Sequence, residues 1–200
     1  MNEKFFDLKK EKQDRMINAA LKVFAMQGYR HASTDDMVRE AGISKGLLFH
    51  YFGSKLGVYT FIFDYSVRYM TLELTSTIRK DETDFFELLK QKEQAKMQAL
   101  RGYPYMQQFL DRCMVEDVSE ALLAIEEKRN IFAQNMDGIY GQIDMSCLPA
   151  GVDGERLWRM LDLTIKGLMT QRIMDGSFQA GMLFDEVCEY IEMTKGLVTR

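Results

Sequence analysis

Residues 33–55 read STDDMVREAGISKGLLFHYFGSK and contain two short helices separated by a glycine turn. Ser33 or Thr34 can cap the first helix, because a side-chain hydroxyl accepts a hydrogen bond from a free backbone amide. Gly42 ends that helix, since glycine adopts the left-handed conformation readily, and Ser44 can cap a second helix that runs to about Phe52. The spacing predicts a helix-turn-helix over residues 33–52.

The second helix of this pair has an inward and an outward side. At about 100° per residue, directing Leu48 and Phe52 toward the core places Gly46 and His50 on the opposite side. Gly46 has no side chain, so the helix backbone can approach another surface closely there. This arrangement suits a recognition helix that enters the DNA major groove.

A longer amphipathic helix precedes the motif. We expect it from about Asp7 to Gln27, with Gly28 as its left-handed stop. Its inward side repeats at helical spacing and comprises Met16, Ile17, Ala20, Leu21, Phe24 and Ala25.

Charge is unevenly distributed along the 200 residues. Residues 1–55 contain ten Lys and Arg against seven Asp and Glu, whereas the remainder contains 16 against 23. A basic N-terminal part followed by an acidic remainder is typical of a protein in which one domain binds the phosphates of a nucleic acid and the rest does not.

The rest of the chain also predicts helices only. Pro104 and Pro149 are the two prolines, and no stretch shows strand-like alternation. A helix from Lys55 to about Ile78 is apolar on nearly every side and joins the two parts. Thr83 is a possible cap of the next helix. The remaining helices are predicted at about 84–101, 106–114, 119–143, 155–174 and 182–198, with a loop over 144–154. The fold class is therefore all-α with about nine helices.

The quoted motif, together with the sequence GYRHAST at residues 28–34 that overlaps its start, resembles the signature of the tetracycline-repressor (TetR-like) family of transcriptional regulators. The resemblance covers about the first 60 residues and includes the AGISKG turn, the HYF sequence and the SK that opens the next helix. It implies a helix-turn-helix DNA-binding domain over residues 1–54. It also implies a larger helical ligand-binding and dimerisation domain over residues 55–200.

The resemblance also assigns DNA contacts. Thr34 would hold a phosphate from the start of its helix, beside Ser33, and Tyr51 and Lys55 would contact the DNA backbone. The residues that would line the major groove are Ser44, Lys45, Gly46, Leu47, Phe49 and His50. Leu47 and Phe49 stand where the family signature often has Thr and usually has Tyr, so two hydroxyl contacts are absent and the operator sequence is not carried over.

A set of aromatic and methionine residues in the middle of the chain is a candidate effector pocket, because similar proteins bind effectors in this region and such side chains suit apolar or aromatic ligands. The alternative interpretation is ordinary core packing. The candidates are Phe86, Met97, Tyr103, Met106, Phe109, Leu110 and Met114.

By resemblance, the last two helices, at about 155–174 and 182–198, form the interface of a homodimer. The expected function is that of a repressor that binds a pseudo-palindromic double-stranded DNA operator and releases it when a small effector binds. The alternatives are a DNA-binding regulator without a small-molecule effector and an activator.

Other classes of protein find little support in the sequence. No nucleophile elbow, paired-carboxylate motif, phosphate loop or His/Cys metal motif occurs, so we expect no catalytic residues, no metal, no cofactor and no enzymatic activity. Cys113, Cys147 and Cys188 are an odd number with no CxxC spacing, which argues against a disulfide framework. We expect no membrane span and a cytoplasmic location, because no long apolar run or secretion signal occurs.

Overall fold

Nine α-helices follow one another in a computed structural model that describes residues 3–199, apart from the side chains of residues 3, 140 and 147. These residues contain no strand, so the predicted all-α class with about nine helices is confirmed. Two short 3₁₀ helices accompany them, Glu3–Phe5 and Met145–Cys147. The α-helices are α1 (Lys10–His31), α2 (Thr34–Ala41), α3 (Lys45–Phe52), α4 (Lys55–Thr77), α5 (Phe85–Gly102), α6 (Met106–Met114), α7 (Ser119–Tyr140), α8 (Gly154–Met174) and α9 (Ala180–Val198).

The ends of α1 differ from the prediction. The helix begins at Lys10 rather than near Asp7, and it continues past the expected stop at Gly28 as far as His31. Gly28 has φ 69° and ψ 171°, a conformation that is essentially restricted to glycine. The glycine therefore interrupts the helix, and one further turn forms beyond it.

Two other helix ends were also predicted inaccurately. Asp84, not Thr83, caps α5, because the backbone N–H groups of Phe86 and Glu87 donate to its Oδ1 atom at 3.0 and 2.8 Å. α7 ends at Tyr140, a few residues before the predicted end, where the sequence turns to glycine.

The chain divides into two compact units. The head unit contains the residues up to Tyr69 together with Gly102–Gln134, and the body unit contains Met70–Arg101 together with Asn135–Arg200. The head unit thus includes α6 and most of α7 in addition to α1, α2 and α3, and α4 contributes residues to both units. The division into functional domains at residues 54 and 55 remains a prediction.

An aromatic cluster joins three helices of the head unit. The ring of Tyr59 on α4 lies 5.1 Å from Phe24 and 5.0 Å from Tyr29 on α1, and 5.7 Å from Phe109 on α6, measured between centroids. Edge-to-face packing of this kind adds about 0.5–1.5 kcal/mol per pair to the effect of apolar burial. The Tyr59 hydroxyl donates to Sγ of Cys113 at 3.3 Å, and burial raises the pKa of that thiol to about 12, so it stays protonated and unreactive.

The break in α1 is packed closely against α6. A Cβ atom on Gly28 would lie 2.9 Å from Nε of Arg112, and Nη1 of Arg112 donates to the carbonyl oxygen of Ala25 at 3.5 Å. The absence of a side chain at position 28 therefore allows the Arg112 guanidinium to lie against the backbone of α1.

The body unit is built on α5, α8 and α9. The inward residues of α8 and α9 recur at helical spacing and are buried, among them Leu161, Ile165, Val187 and Ile191. Phe85 at the start of α5 meets Trp158 on α8 edge to face, with centroids 5.7 Å apart. This unit therefore has its own apolar core.

Within the described part of the chain, no helix combines the length and apolar character that a membrane span requires. Cys113 is buried and Cys188 half-buried, and both are free thiols. The side chain of Cys147 lies outside the described residues.

Candidate nucleic-acid interface

The helix-turn-helix forms through local capping, as predicted. Ser33 Oγ accepts from the backbone N–H of Asp35 at 3.1 Å, and Ser44 Oγ accepts from that of Leu47 at 3.2 Å. Gly42 lies between the helices with φ 63° and ψ 44°, in the left-handed region. Ser33 thus fixes where α2 begins, Gly42 where it ends and Ser44 where α3 begins.

The two sides of α3 are those predicted from helical spacing. Leu48 and Phe52 are buried, whereas Gly46 and His50 are exposed on the opposite side. A Cβ atom on Gly46 would meet no atom within 4 Å, so packing within the chain does not require glycine there. The exposed side of α3 can therefore approach a flat or grooved partner without steric obstruction from its own domain.

Lys45 at the start of α3 is paired with an acidic residue of α2. Its Nζ atom lies 2.9 Å from Oδ1 and 3.1 Å from Oδ2 of Asp35, and both side chains are exposed. An exposed ion pair of this type contributes little to stability, typically about 0–1 kcal/mol. The lysine can therefore exchange Asp35 for another anion at small cost.

Lys55 has close partners within the head unit, and its contact with the DNA backbone remains a prediction. Its Nζ atom donates to the carbonyl oxygen of Ala32 at 3.1 Å and of Arg30 at 3.5 Å, and it lies 4.6 Å from the ring centroid of Tyr29. These carbonyl groups end α1, where the helix dipole favours a positive charge. Lys55 therefore anchors the start of α4 to the end of α1 in addition to any contact with DNA.

Tyr51, the other residue predicted to contact the DNA backbone, is buried at its ring. The ring lies 5.7 Å from that of Phe5 and 5.0 Å from that of His50, measured between centroids. Ser33 and Thr34 are half-buried at the start of α2, and Leu47 and Phe49 are half-buried on α3. All ten predicted DNA-contacting residues lie in the head unit, on α2, α3, their caps and the first residue of α4.

Sequence reasoning missed the support that Phe5 gives to α3. Phe5 is completely buried, and its ring lies 5.2 Å from Phe52 and 5.1 Å from Phe61. The available signal was the Phe5–Phe6 pair in an otherwise polar N-terminal segment. The 3₁₀ helix Glu3–Phe5 thus packs against the end of α3 on its buried side.

The candidate pocket residues are divided between the two units. Phe86 and Met97 are buried in the body unit, whereas the other five belong to the head unit, where Met114 is half-buried and the rest are buried. The physical reason is the chain path, because residues on either side of Gly102 belong to different units. The seven residues therefore do not all belong to one unit, and their role in an effector pocket remains a prediction.

Tyr103 has a specific polar environment within the head unit. Its hydroxyl donates to Asp14 Oδ1 at 2.6 Å, lies 2.5 Å from the Tyr65 hydroxyl and accepts from Lys10 Nζ at 2.9 Å. Burial and these hydrogen bonds raise the pKa of Tyr103 far above its usual value. The residue connects the start of α1 with α4 and with the segment between α5 and α6.

Residues 16–59 match the family model described as "Bacterial regulatory proteins, tetR family". This region of the chain is TetR-like. The matched residues include most of α1, all of α2 and α3 and the first turn of α4, so the resemblance inferred from the quoted motif is confirmed. The family consists of regulatory proteins and is not a family of enzymes.

A curated relative is similar to this chain in the same region. The HTH-type transcriptional regulator TtgW of Pseudomonas putida is 43% identical over 49 residues, which are 24% of this chain and 37% of TtgW. The match thus spans little more than a third of the relative, and it is confined to the part that carries the helix-turn-helix.

Solved structures resemble nearly the whole chain in fold. A TetR family transcriptional regulator from Chloroflexus aurantiacus J-10-FL has a TM-score of 0.60 at 21% identity, and the match covers 98% of this chain and 95% of that one. FadR from Bacillus subtilis, solved in complex with stearoyl-CoA, has a TM-score of 0.52 at 19% identity, with 88% and 96% covered. At these identities the likeness shows a shared fold.

Proposed function

We propose that the chain is a ligand-responsive transcriptional repressor that binds a pseudo-palindromic operator as a homodimer. It releases the operator when a small apolar or aromatic effector binds to the C-terminal helices. The observation that carries the DNA-binding part is the exposed side of α3, where Gly46 and His50 lie opposite a buried side in a motif that matches the tetR family.

The exposed side of α3 would enter the major groove. His50 and Lys45 would contact base edges, and the half-buried Leu47 and Phe49 would contact the thymine methyl groups or the groove wall. Thr34 would donate to a phosphate at the start of α2, where free backbone amides also favour an anion. Lys45 would leave Asp35 for DNA, which makes Asp35 an opposing charge at the interface.

Dimerisation would use the two last helices. Several apolar side chains are exposed on them: Met160, Leu163 and Met174 on α8, and Met182, Met193 and Leu197 on α9. Contact with the same helices of a second copy would remove these side chains from water in an isologous interface. Two recognition helices would then read two half-sites, which supplies the affinity that one short helix lacks.

Effector binding would act by a population shift between dimers whose recognition helices do and do not fit the operator. The shared fold with FadR, which was solved with stearoyl-CoA, supports a small-molecule ligand among the C-terminal helices. α4 is the candidate transmitter, because it begins at Lys55 beside the motif and contributes residues to both units. A cytoplasmic location fits this function.

A DNA-binding regulator without a small-molecule effector is the second candidate. The complete burial of Met106 and the polar contacts of Tyr103 favour it, since both residues were predicted to line a pocket and both fill the interior of the head unit. An activator would present the same DNA-binding surface, and transcription from a reporter promoter distinguishes it from a repressor.

Selection of bound fragments from a random DNA library tests the DNA-binding proposal. We expect two inverted half-sites at fixed spacing, with an affinity that falls steeply as salt rises. Recovery of no enriched sequence would contradict the proposal.

Leu163→Glu tests the dimer. The charged side chain should separate the copies in sedimentation experiments and weaken operator binding. Leu123→Glu, which places the same charge at an exposed leucine of α7, is the matched control and should leave both unchanged.

A further inference from the structure

Charged side chains lie inside the body unit, on a buried side of α5 that is otherwise apolar. Lys92 and Lys96 expose 2% and 6% of their side chains, and Glu93 exposes none. The other residues along this stretch that are buried include Leu88, Leu89, Ala95, Met97, Ala99 and Leu100. Lysine and glutamate are almost never buried to this extent unless they are paired, so this part of α5 has an unusual composition for a core.

These three residues form a buried charge cluster with Asp162 and Lys166 of α8. The Nζ atom of Lys96 lies 2.7 Å from Oε2 of Glu93, and that of Lys166 lies 2.8 Å from Oδ2 of Asp162. The Nζ atom of Lys92 lies between the two carboxylates, 3.3 Å from Oδ1 of Asp162 and 3.8 Å from Oε1 of Glu93. Three ammonium groups thus surround two carboxylates.

The electrostatics of the buried charge cluster are dominated by its lysines. Burial opposes the ionisation of Asp162, but the nearby ammonium groups of Lys92, Lys166 and Lys96 lower the pKa of this carboxyl to about 2. Ammonium groups that stabilise the ionised form of Asp162 also favour other anions at the same place.

An aromatic wall adjoins the charges. Nζ of Lys92 lies 4.9 Å from the ring centroid of Trp158. The ring of Phe85 packs edge to face with that of Trp158, and their centroids are 5.7 Å apart. The body unit therefore places ammonium groups directly beside apolar aromatic surface. This combination is complementary to a molecule that carries an anionic group on an apolar body.

Stability alone does not account for the cluster. Replacing a buried ion network by well-packed apolar residues of similar volume is often neutral or stabilising, because removing charges from water is costly. Carboxyl groups whose pKa is shifted by specific charge partners, as that of Asp162 is, occur preferentially at functional sites.

We propose that Lys92 and Lys96 bind the anionic group, a carboxylate or a phosphate, of an effector whose apolar part packs against Trp158. This inference rests on the proposed ligand response and names the class of effector. Lys166 is the solvent-facing end of the cluster, and with Gly167 and Thr170 it lines a shallow depression on α8. An anion that arrives there competes with Asp162 for the lysines and loosens the link between α5 and α8.

The intrinsic fluorescence of the full-length protein provides a direct test, because Trp158 is the only tryptophan in the sequence. The protein is titrated with decanoate, with decanoyl-CoA and with decanol as the neutral match of the same chain length. We expect a saturable change in Trp158 emission with one or both anionic probes, and binding of decanol weaker by at least about tenfold. A response to decanoate alone identifies a carboxylate, and a response to decanoyl-CoA alone identifies phosphate groups.

Variants of the cluster locate the contact. Lys96→Met should weaken binding of the anionic probe by at least about tenfold, and Lys96→Arg should retain most of it. Because Lys96→Met leaves Glu93 without its closest partner, the double variant Glu93→Gln, Lys96→Met removes both charges together and serves where the single variant does not fold. Lys90→Met is the matched control, since Lys90 lies on the same helix but pairs with Glu87 and Glu192.

The outcomes separate this inference from the proposed function. Binding of decanol as tight as that of the better-binding anionic probe, equal effects of Lys90→Met and Lys96→Met, or no response to any anionic probe would overturn the anion site, and operator binding would be unaffected by that result. Binding of the anion at Lys96 without release of operator DNA would support the site and contradict the ligand-responsive function.

Discussion

Lys45 at the start of α3 forms an ion pair with Asp35 in the first turn of α2, with Nζ 2.9 Å from Oδ1. The pair joins the two helices of the motif on their exposed side, where the proposed DNA interface lies. The acidic partner therefore restrains this lysine, and in the proposed complex it would place a negative charge near the DNA phosphates.

The first prediction concerns this pair. Asp35→Asn should increase affinity for operator DNA several-fold, because it releases Lys45 and removes a repulsion of about 1 kcal/mol. Fluorescence anisotropy with labelled operator at several salt concentrations measures the change. The control is Glu40→Gln, which removes the same charge from the exposed pair with Lys22 on the head unit. If both variants raise affinity equally, only net charge matters and the Lys45–Asp35 contact has no special role.

The second prediction separates base contacts from backbone contacts. His50→Ala and Lys45→Ala should change the order of preference among operator variants, because both side chains would face base edges. Lys55→Ala should weaken binding about equally for all sequences. Since Lys55 also donates to the carbonyl group of Ala32, its loss should lower the free energy of unfolding by about 1 kcal/mol. Equal effects of all three variants on specific and random DNA would mean that the assigned side of α3 is wrong.

The third prediction tests the support behind the recognition helix. Phe5→Ala should lower the free energy of unfolding by about 3–5 kcal/mol, because the ring is completely buried against Phe52 and Phe61. Chemical denaturation measures the loss, and operator affinity should fall with it. Phe6→Ala changes a neighbouring ring that is 52% exposed and should cost much less. Comparable losses in the two variants would show that Phe5 does not hold α3.

The fourth prediction concerns pH and Asp162. The lysines around this carboxyl lower its pKa from 3.8 to about 2, so its stabilising effect is present above pH 3.8 and disappears as the pH falls toward 2. This lowering of the pKa corresponds to about 2 kcal/mol in the free energy of unfolding. We expect Asp162→Asn to be less stable than the parent protein at pH 6, and the gap should narrow as the pH falls below 4. A gap that is constant from pH 6 to pH 3 would exclude this electrostatic origin.

The features that sequence reasoning predicted correctly depend on neighbours along the chain. Ser33, Gly42 and Ser44 were assigned as caps and turn because capping is decided within about four residues. The orientation of Leu48 and Phe52 followed from helical periodicity alone. The number and approximate positions of the helices followed from the same kind of information.

The features that were missed depend on residues far apart in the sequence. Lys55 was expected to face DNA, yet it also bonds the end of α1, which lies more than twenty residues earlier. The candidate pocket residues divide between two units, because helical stripes do not reveal which helix they will face. Lys92 and Lys96 were assigned no role, because they lie in the polar sequence KQKEQAK, and their burial becomes visible only in the folded structure.

Two glycines with positive φ differ in the replacements they permit. Gly42 lies in the left-handed region with open space where a Cβ would be, so asparagine or aspartate is an acceptable substitute there. Gly28 combines a conformation that L-residues avoid with the Arg112 guanidinium 2.9 Å from any Cβ atom. In a library that randomises both codons, selection for folded protein should therefore return glycine alone at position 28. At position 42 it should return glycine, asparagine and aspartate.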